Sequence, residues 1–494
     1  MRAFWLAGIA TASLIAAAPA FADTLRGALL QAYNSNPTIL GARARQRQVD
    51  EGVPIAKADG RPSIAVNSEY TENVRQNAAS FLSPERQATA SINAQVPLYL
   101  GGAVRNAIQA AKIRVESGRA NLRSTEADVF TDVVAAYMDV IRDQAIVDLN
   151  ANQVSVLETN LRASKDRFEV GDLTRTDVAQ SEARLSLAHG QLDGARAQLV
   201  ASREFYLRIV GKMPESLEAP PSLPGFPETA DVATEAALDQ NPQLIAIRKE
   251  SEAARYDVGS ARSARLPRIS AVAGGTRIDY LNSLGPLATI PDHGNSASVG
   301  VQATLPLYQG GGPGARVRQA QARESETLEQ TIAVERGVIA QTRSAYASYV
   351  ASQAVIRSSE SAVSANELAL EGVRAENSVG TRDVLDVLNA EQELLNSRVQ
   401  LVSARRNAYV AGFALLAAMG RAEAASLGLD GGVMYDPTVN YRRVRTSIFD
   451  WGDDGPQDVK ATSTVNVAPL PSESLQPLAT AIPDGTSHVT TPEN

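Results

Sequence analysis

The chain has 494 residues, enough for more than one domain, and carries 47 Lys and Arg against 55 Asp and Glu. The charges of both signs are interleaved, which excludes the concentrated basic footprint of a nucleic-acid binder, so no nucleic-acid partner is expected. There is no cysteine, so neither disulfides nor thiolate metal sites hold the fold, and packing or oligomerisation must do so.

At the N-terminus Arg2 precedes an apolar stretch, Leu6 to Ala18, followed by the small-x-small triplet Ala20-Phe21-Ala22. This predicts a secretory signal peptide over residues 1–22 and a mature chain beginning at Asp23. The apolar stretch is too short to span a bilayer comfortably. Farther along, no run approaches the roughly 20 apolar residues of a spanning helix. The best, Ala411 to Met419, is about half that length and reads as a buried helix face.

The chain contains itself twice. Asn36-Pro37 recurs as Asn241-Pro242, and Arg61-Pro62-Ser63-Ile64 as Leu266-Pro267-Arg268-Ile269, 205 residues later. Beyond that the displacement is 209: Pro97-Leu98-Tyr99-Leu100-Gly101-Gly102 matches Pro306-Leu307-Tyr308-Gln309-Gly310-Gly311. Ala136-Tyr137, Val170-Gly171, Asp177-Val178 and Gly211 recur as Ala345-Tyr346, Val379-Gly380, Asp386-Val387 and Gly420. Such a period indicates a duplicated domain-sized segment rather than a short solenoid unit. The repeats are placed at 23–227 and 228–430. The four-residue length difference falls between Ile64 and Pro97, where a variable loop is the expected host.

Each repeat begins with strand pattern. Residues 62–71 alternate, and over 88–98 Ala88, Ala90, Ile92, Ala94, Val96 and Leu98 face one side while Thr89, Ser91, Asn93 and Gln95 face the other. The second repeat matches this over 297–305, with a less regular partner strand over 267–280. Polar loops at 72–85 and 281–295 join each pair, giving β-hairpins at about 62–99 and 267–308. Strands of about ten residues with small apolar groups on one face and uncharged polar groups on the other suit a membrane barrel around a lumen. Four strands cannot close alone, and open edges in lipid cost several kcal/mol per unpaired backbone group, so several copies must join their sheets.

Long helices follow. From Gly102 to Val170 there is no proline, and Val129, Val133, Ala136, Tyr137 and Val140 recur at helical spacing. A continuous helix of that length reaches about 100 Å. A glycine turn, Gly171 or Gly380, then returns the chain, so helical hairpins are expected at about 102–211 and 315–420. Residues 431–451 read as an ordered peripheral segment. Past Gly452 the composition turns to Pro, Ser, Thr and Asp, the signature of a disordered tail over 452–494.

With its paired Asn-Pro segments, Pro-Leu-Tyr-x-Gly-Gly junctions and tips Arg167–Val178 and Ser378–Leu388, the chain resembles the TolC family of outer-membrane channels over nearly its whole length. The resemblance implies a mainly α chain with membrane β-structure. Its helical hairpins would form a periplasmic α-barrel, and its four strands would contribute to a trimeric 12-stranded β-barrel. It implies an outer-membrane location reaching into the periplasm. Cargo would arrive from an inner-membrane transporter, ABC or proton-driven, through a periplasmic adaptor protein, as type I secretion or small-molecule efflux. It also implies a periplasmic gate in which Arg382 pairs with Thr176 and Asp177 while Asp386 adds to an acidic constriction, and adaptor contact at Gly171, Gly380 and Thr381. Two family positions differ: a tyrosine is Asn377 here, and a second acid is Asn389. Asp172 stands where the family more often has an apolar residue.

Other chemistry is thin. His189, His293 and His488 are scattered, so no metal site, cofactor or catalytic base is expected, and the chain is not expected to be an enzyme. Gly310 to Gly314 lacks the Gly-Lys-Ser/Thr of a phosphate loop and reads as the strand-to-helix bend. The alternatives are a periplasmic coiled-coil scaffold with a soluble sheet, and a diffusion porin, which the helical content disfavours.

Overall fold

The computed structural model describes residues 24–75, 83–223, 225–284, 291–429 and 434–468. The expected signal peptide, the centres of both polar loops and the final part of the expected tail lie outside the described residues. In chain order the elements are α1 (Leu25–Ser35), α2 (Pro37–Asp50), α3 (Gly52–Ala58), β1 (Ser63–Glu72), β2 (Arg86–Tyr99), α4 (Ala103–Glu169) and α5 (Arg175–Val210). The second half repeats the plan with α6 (Ala230–Gln240), α7 (Pro242–Arg262), β3 (Arg268–Asp279), β4 (His293–Thr304), α8 (Gly312–Ser378) and α9 (Val384–Ala418), followed by α10 (Thr438–Val444).

The helices α4 and α8 each run 67 residues, about 100 Å. Both start from a glycine in the left-handed region, Gly102 and Gly311, which bends the chain out of the preceding strand. The short helices α1 to α3 and α6 to α7 lie beside the long ones. The duplicated Asn-Pro motif explains how they are fastened. The Asn36 side-chain oxygen accepts from Thr38 and Ile39 N–H to cap α2, while its amide donates to the Ile209 carbonyl at 2.9 Å, at the end of α5. Asn241 caps α7 in the same way and donates to the Ala418 carbonyl at 2.9 Å, at the end of α9. Proline follows at the first helical position, where its missing N–H has no intrahelical partner to lose. Gly420 must be glycine twice over: its φ is +74°, and a Cβ there would overlap the Gln240 carbonyl. The duplicated tyrosines share a role as well, Tyr137 donating to Glu218 O and Tyr346 to Glu228 O, each at 2.7 Å.

The resulting layer is four helices wide. Near the sheet the order is α2, α4, α7, α8; beyond the middle it is α5, α4, α9, α8. Thus α4 is flanked on both sides along its length, and α8 on one. The consequence is plain in burial: 21 residues of α4 are buried, against 6 of α8. Salt bridges tie the layer, with Arg114 on both Asp257 and Glu250 between α4 and α7, and Arg406 on Asp139 at 2.8 Å between α9 and α4.

The sheet has the order β1-β2-β3-β4, antiparallel throughout. Its register sets Val66 opposite Ile92, Ile92 opposite Gly275, Ala94 opposite Ala273 and Ala273 opposite Val299, so one face is apolar from edge to edge. The irregular pattern of β3 comes from the glycine pair Gly274-Gly275, from Val272 and Ile278 on the polar face, and from Arg277 and Asp279, which continue the other face near the loops. The four extra residues of the second repeat are not in the loop, contrary to expectation. Asn73 N–H donates to Glu85 O and Tyr280 N–H to Asp292 O, closing loops of equal length. The difference is shared as two residues in each strand. That is the smallest insertion that keeps both the pairing and the alternation of faces.

Around the middle of the layer a core of Phe130, Val133, Ala136, Tyr137 and Phe413 surrounds a charged cluster. The Arg43 guanidinium lies 4.2 Å from the Tyr33 ring centre and 4.9 Å from that of Tyr435. Burial raises nearby Glu126 from 4.5 to about 7, against the pull of Arg43 and Arg123 and with help from Glu423. A carboxyl raised by folding destabilises nothing below its unfolded value of 4.5, increasingly between there and about 7, and fully above. Glu126→Gln should therefore stabilise the protein above about pH 7, by on the order of 1–3 kcal/mol, with the gain vanishing below about pH 4.5. Thermal melts across pH check this, and identical profiles for the two proteins would contradict it.

Candidate functional site

The far ends of the helical hairpins, away from the sheet, hold the expected gate residues. Both turns are built alike. Gly171 has φ +83° and Gly380 φ +81°, and open space surrounds each. Asp172 N–H donates to Arg167 O at 2.9 Å, and Thr381 N–H to Glu376 O at 3.0 Å, the six-to-one bond of a Schellman turn. Gly171, Gly380 and Thr381 are exposed, and so are Val170 and Val379 beside them.

The returning helices start differently. At the first tip, Thr174 and Asp177 form a capping box: Asp177 N–H donates to Thr174 Oγ1, while Asp177 Oδ2 accepts from the Thr174 N–H at 2.9 Å and from its hydroxyl at 2.7 Å. These bonds hold the Asp177 carboxyl below the usual carboxylate range. At the second tip Asp383 makes no side-chain cap. Order there comes from Arg382, whose Nε donates to Glu376 at 2.8 Å and whose Nη1 lies 3.6 Å from Asp386. Asn377 donates to the Arg382 carbonyl at 2.7 Å and pins the turn.

Of the expected gate residues, the chain therefore brings together Arg382 and Asp386. Within one chain Arg382 is bonded to Glu376 and Asp386, and Asp177 to Thr174. Thr176 is exposed, and the guanidinium, half exposed, retains donors for a further partner. Asn389 accepts from Arg184 Nη2 at 2.7 Å, linking α9 to α5.

A second group, not anticipated from the sequence, lies two to three turns above the tips. The Glu391 carboxylate is almost fully buried. It accepts from Asn160 Nδ2 at 3.1 Å on both oxygens, and from Arg374 Nη2 at 3.0 Å. One side chain thus joins α9 to α4 and α8 at once. Its only sequence signal is a carboxylate between Leu388 and Leu394, on the helix face that packs inward.

Among the described residues no group of His, Cys, Asp and Glu could hold a metal ion, and no helix is long and apolar enough to cross a membrane. The sheet is the other exposed feature. Every residue of β1 and β4 is exposed, including Ile64, Val66, Val299 and Val301 of the apolar face.

Comparison with known proteins places these features in a family. A family model described as outer membrane efflux protein matches residues 28–211 and 233–421, one match per repeat. The outer membrane efflux protein BepC of Brucella suis is 33% identical over 430 residues, covering 87% of this chain and 92% of that one. The outer membrane protein TolC of Vibrio cholerae is 26% identical over 391 residues, covering 78% and 88%. Among solved structures, the Campylobacter jejuni CmeC outer membrane channel superposes with a TM-score of 0.72 at 16% identity, over 85% of this chain and 89% of that one, a likeness of fold.

Two substitutions probe the tips. Thr174→Ala removes the cap of α5 and should destabilise its first turn by about 1 kcal/mol, read as faster hydrogen exchange confined to that turn. Glu391→Ala strands Asn160 and Arg374 and should loosen both hairpins by roughly 1–3 kcal/mol, discounted because Arg374 is half exposed. Unchanged exchange near residues 160 and 374 would show that Glu391 does not join the hairpins.

Proposed function

The chain belongs to the outer membrane efflux protein family and is an export channel of the outer membrane, and on that premise we propose that three copies close a single duct. The observation that carries this reading is the one-sided chain. Among the described residues its sheet ends in two unpaired edges, and α8 lacks the second flank that its repeat partner α4 has. The next copy's β1 would pair with β4, and its α2 and α5 would take against α8 the positions that they hold against α4 in their own chain. Two copies would give eight strands, an interior that side chains fill; three give twelve and leave a lumen. The polar face, with Asn67, Thr89, Ser91, Asn93 and Gln302, would line that lumen, and the apolar face would meet lipid.

At the periplasmic end, the helical tips would converge into the gate. Arg382 of one copy would reach Thr176 and Asp177 of its neighbour, and Asp386 would contribute acid to the constriction. A half-exposed pair of this kind contributes only about 0–1 kcal/mol, so three copies can hold a gate that a docking partner still opens. Asn377 and Asn389 would make the latch weaker and the entrance less acidic than the family pattern of a tyrosine and a second acid at these positions implies. An adaptor protein would bind the exposed turns at Gly171, Gly380 and Thr381 and join the duct to an inner-membrane transporter.

In detergent, light scattering corrected for bound detergent should give the mass of three chains. A monomer extracted without detergent would instead return the helices to a periplasmic scaffold. In planar bilayers the wild-type protein should form a low-conductance channel, and Arg382→Ala should raise that conductance several-fold. An unchanged conductance would remove Arg382 from the latch.

A further inference from the structure

The chain beyond α10 makes an excursion toward the sheet and back. It leaves α10, where Asn440 donates to Asp50 of α2 at 3.0 Å. The Arg445 carbonyl then accepts from Lys57 Nζ, and the Ser447 carbonyl from Arg61 Nη1, both at 2.6 Å. Arg61 lies two residues before β1, and neighbouring Gly60 packs against Val104 at the start of α4. This is the level at which strands become helices. The chain then turns back: Asp454 pairs with Arg443 at 2.7 Å, and Thr462 reaches Gly211 near the Asn36 cap.

The apex of this excursion carries Ile448, Phe449 and Trp451, which are 77%, 71% and 90% exposed. Among the described residues, these large apolar side chains, held in the open by two backbone anchors, are left largely uncovered by their own chain. Cations surround their base. Lys57, Arg61, Lys112 and Arg445 form no salt bridge among the described residues, and Asp450 and Asp453 are the acids of the apex. Lys57 is held below the ordinary lysine range, first by burial and then by the charges of Lys112, Arg61 and Arg445. At the same level Tyr99 and Tyr308 are exposed at the helix-side ends of the strands.

We propose that this apex is a membrane-surface anchor: Ile448, Phe449 and Trp451 enter the periplasmic leaflet of the membrane that holds the sheet, and the adjoining cations meet its phospholipid headgroups. The inference rests on the reading of the sheet as a membrane barrel. Two observations select lipid as the occupant. The anchors at Lys57 and Arg61 set the apex at the strand-to-helix level, where Tyr99 and Tyr308 are also exposed, and cations with no salt bridge among the described residues, beside aromatic side chains, match an anionic headgroup layer. The anchor would fix the height and tilt of the helical body beneath the membrane at a point outside the barrel wall.

The chain has two tryptophans, Trp5 in the expected signal peptide and Trp451, so a Trp5→Phe protein reports Trp451 alone whether or not that peptide is removed. This protein would be reconstituted into phosphatidylethanolamine–phosphatidylglycerol liposomes containing lipids brominated either near the headgroup or near the chain end. The expected result is blue-shifted emission quenched strongly by the shallow bromines and weakly by the deep ones, as for a side chain about 5–10 Å into the interface. Emission at the solvent-exposed wavelength, quenched by aqueous iodide and by neither lipid, would overturn the proposal. So would blue-shifted emission insensitive to both lipids, since the neighbouring copy would then cover Trp451. Protein that fails to float with the liposomes would refute the barrel reading itself and this anchor with it.

Discussion

The outer strands β1 and β4 each present a row of backbone N–H and C=O groups with no strand beside it among the described residues. In water such edges are a nuisance; in hydrocarbon each unpaired group costs several kcal/mol, and no side chain can satisfy a row of them. The apolar face, continuous from Val66 through Ile92 and Ala273 to Val299, puts the sheet where that cost applies. Closure by further copies is the solution available to a four-stranded sheet. The rest of the molecule is arranged so that joining the sheets also joins the helices.

That arrangement uses duplication economically. Both repeats present the same parts, with an Asn-Pro cap fastening a short helix, a tyrosine hydroxyl holding the connecting segment, and a Schellman turn reversing the chain. They differ in company rather than in plan. The first repeat's long helix lies inside the layer and is buried on two flanks; the second's lies at its margin and is bare on one. A chain with two near-equivalent halves can thus form a ring in which every long helix has similar neighbours, whether those neighbours belong to its own copy or the next. The two extra residues in each strand of the second hairpin obey the same logic, lengthening it without breaking register.

Much of this architecture is legible in the sequence because it rests on local period. Alternation marks β2 and β4, proline-free stretches mark α4 and α8, and Gly171 and Gly380 mark the reversals. The short helices beside the long ones are less legible. Apart from their Asn-Pro starts they are short, charged segments whose place depends on tertiary contacts. The loop expected to absorb the length difference is unchanged, because pairing between strands constrains length more tightly than a one-dimensional comparison suggests. At the tips, Arg382 and Asp386 are one helical turn apart and are legible as neighbours. Glu391 is not, since its partners Asn160 and Arg374 come from two other helices. The C-terminal segment from 434 to 468 reads from composition as half ordered and half loose, yet its ion pair through Asp454 and the approach of Thr462 to Gly211 tie it to the helical body.

The tips combine firm turns with weak links between exposed charges, which suits the proposed entrance that must both close and open. Everything at that end depends on the copies being joined at the other. Because the chain has no native cysteine, one cysteine introduced in β1 and one in β4 report directly on whether those edges meet. Oxidation in native membranes should give a ladder of covalent species that stops at three chains, for pairs in register and not for pairs displaced along the strand. Monomers at every pairing, or a ladder that ends at two, would contradict the shared twelve-stranded barrel.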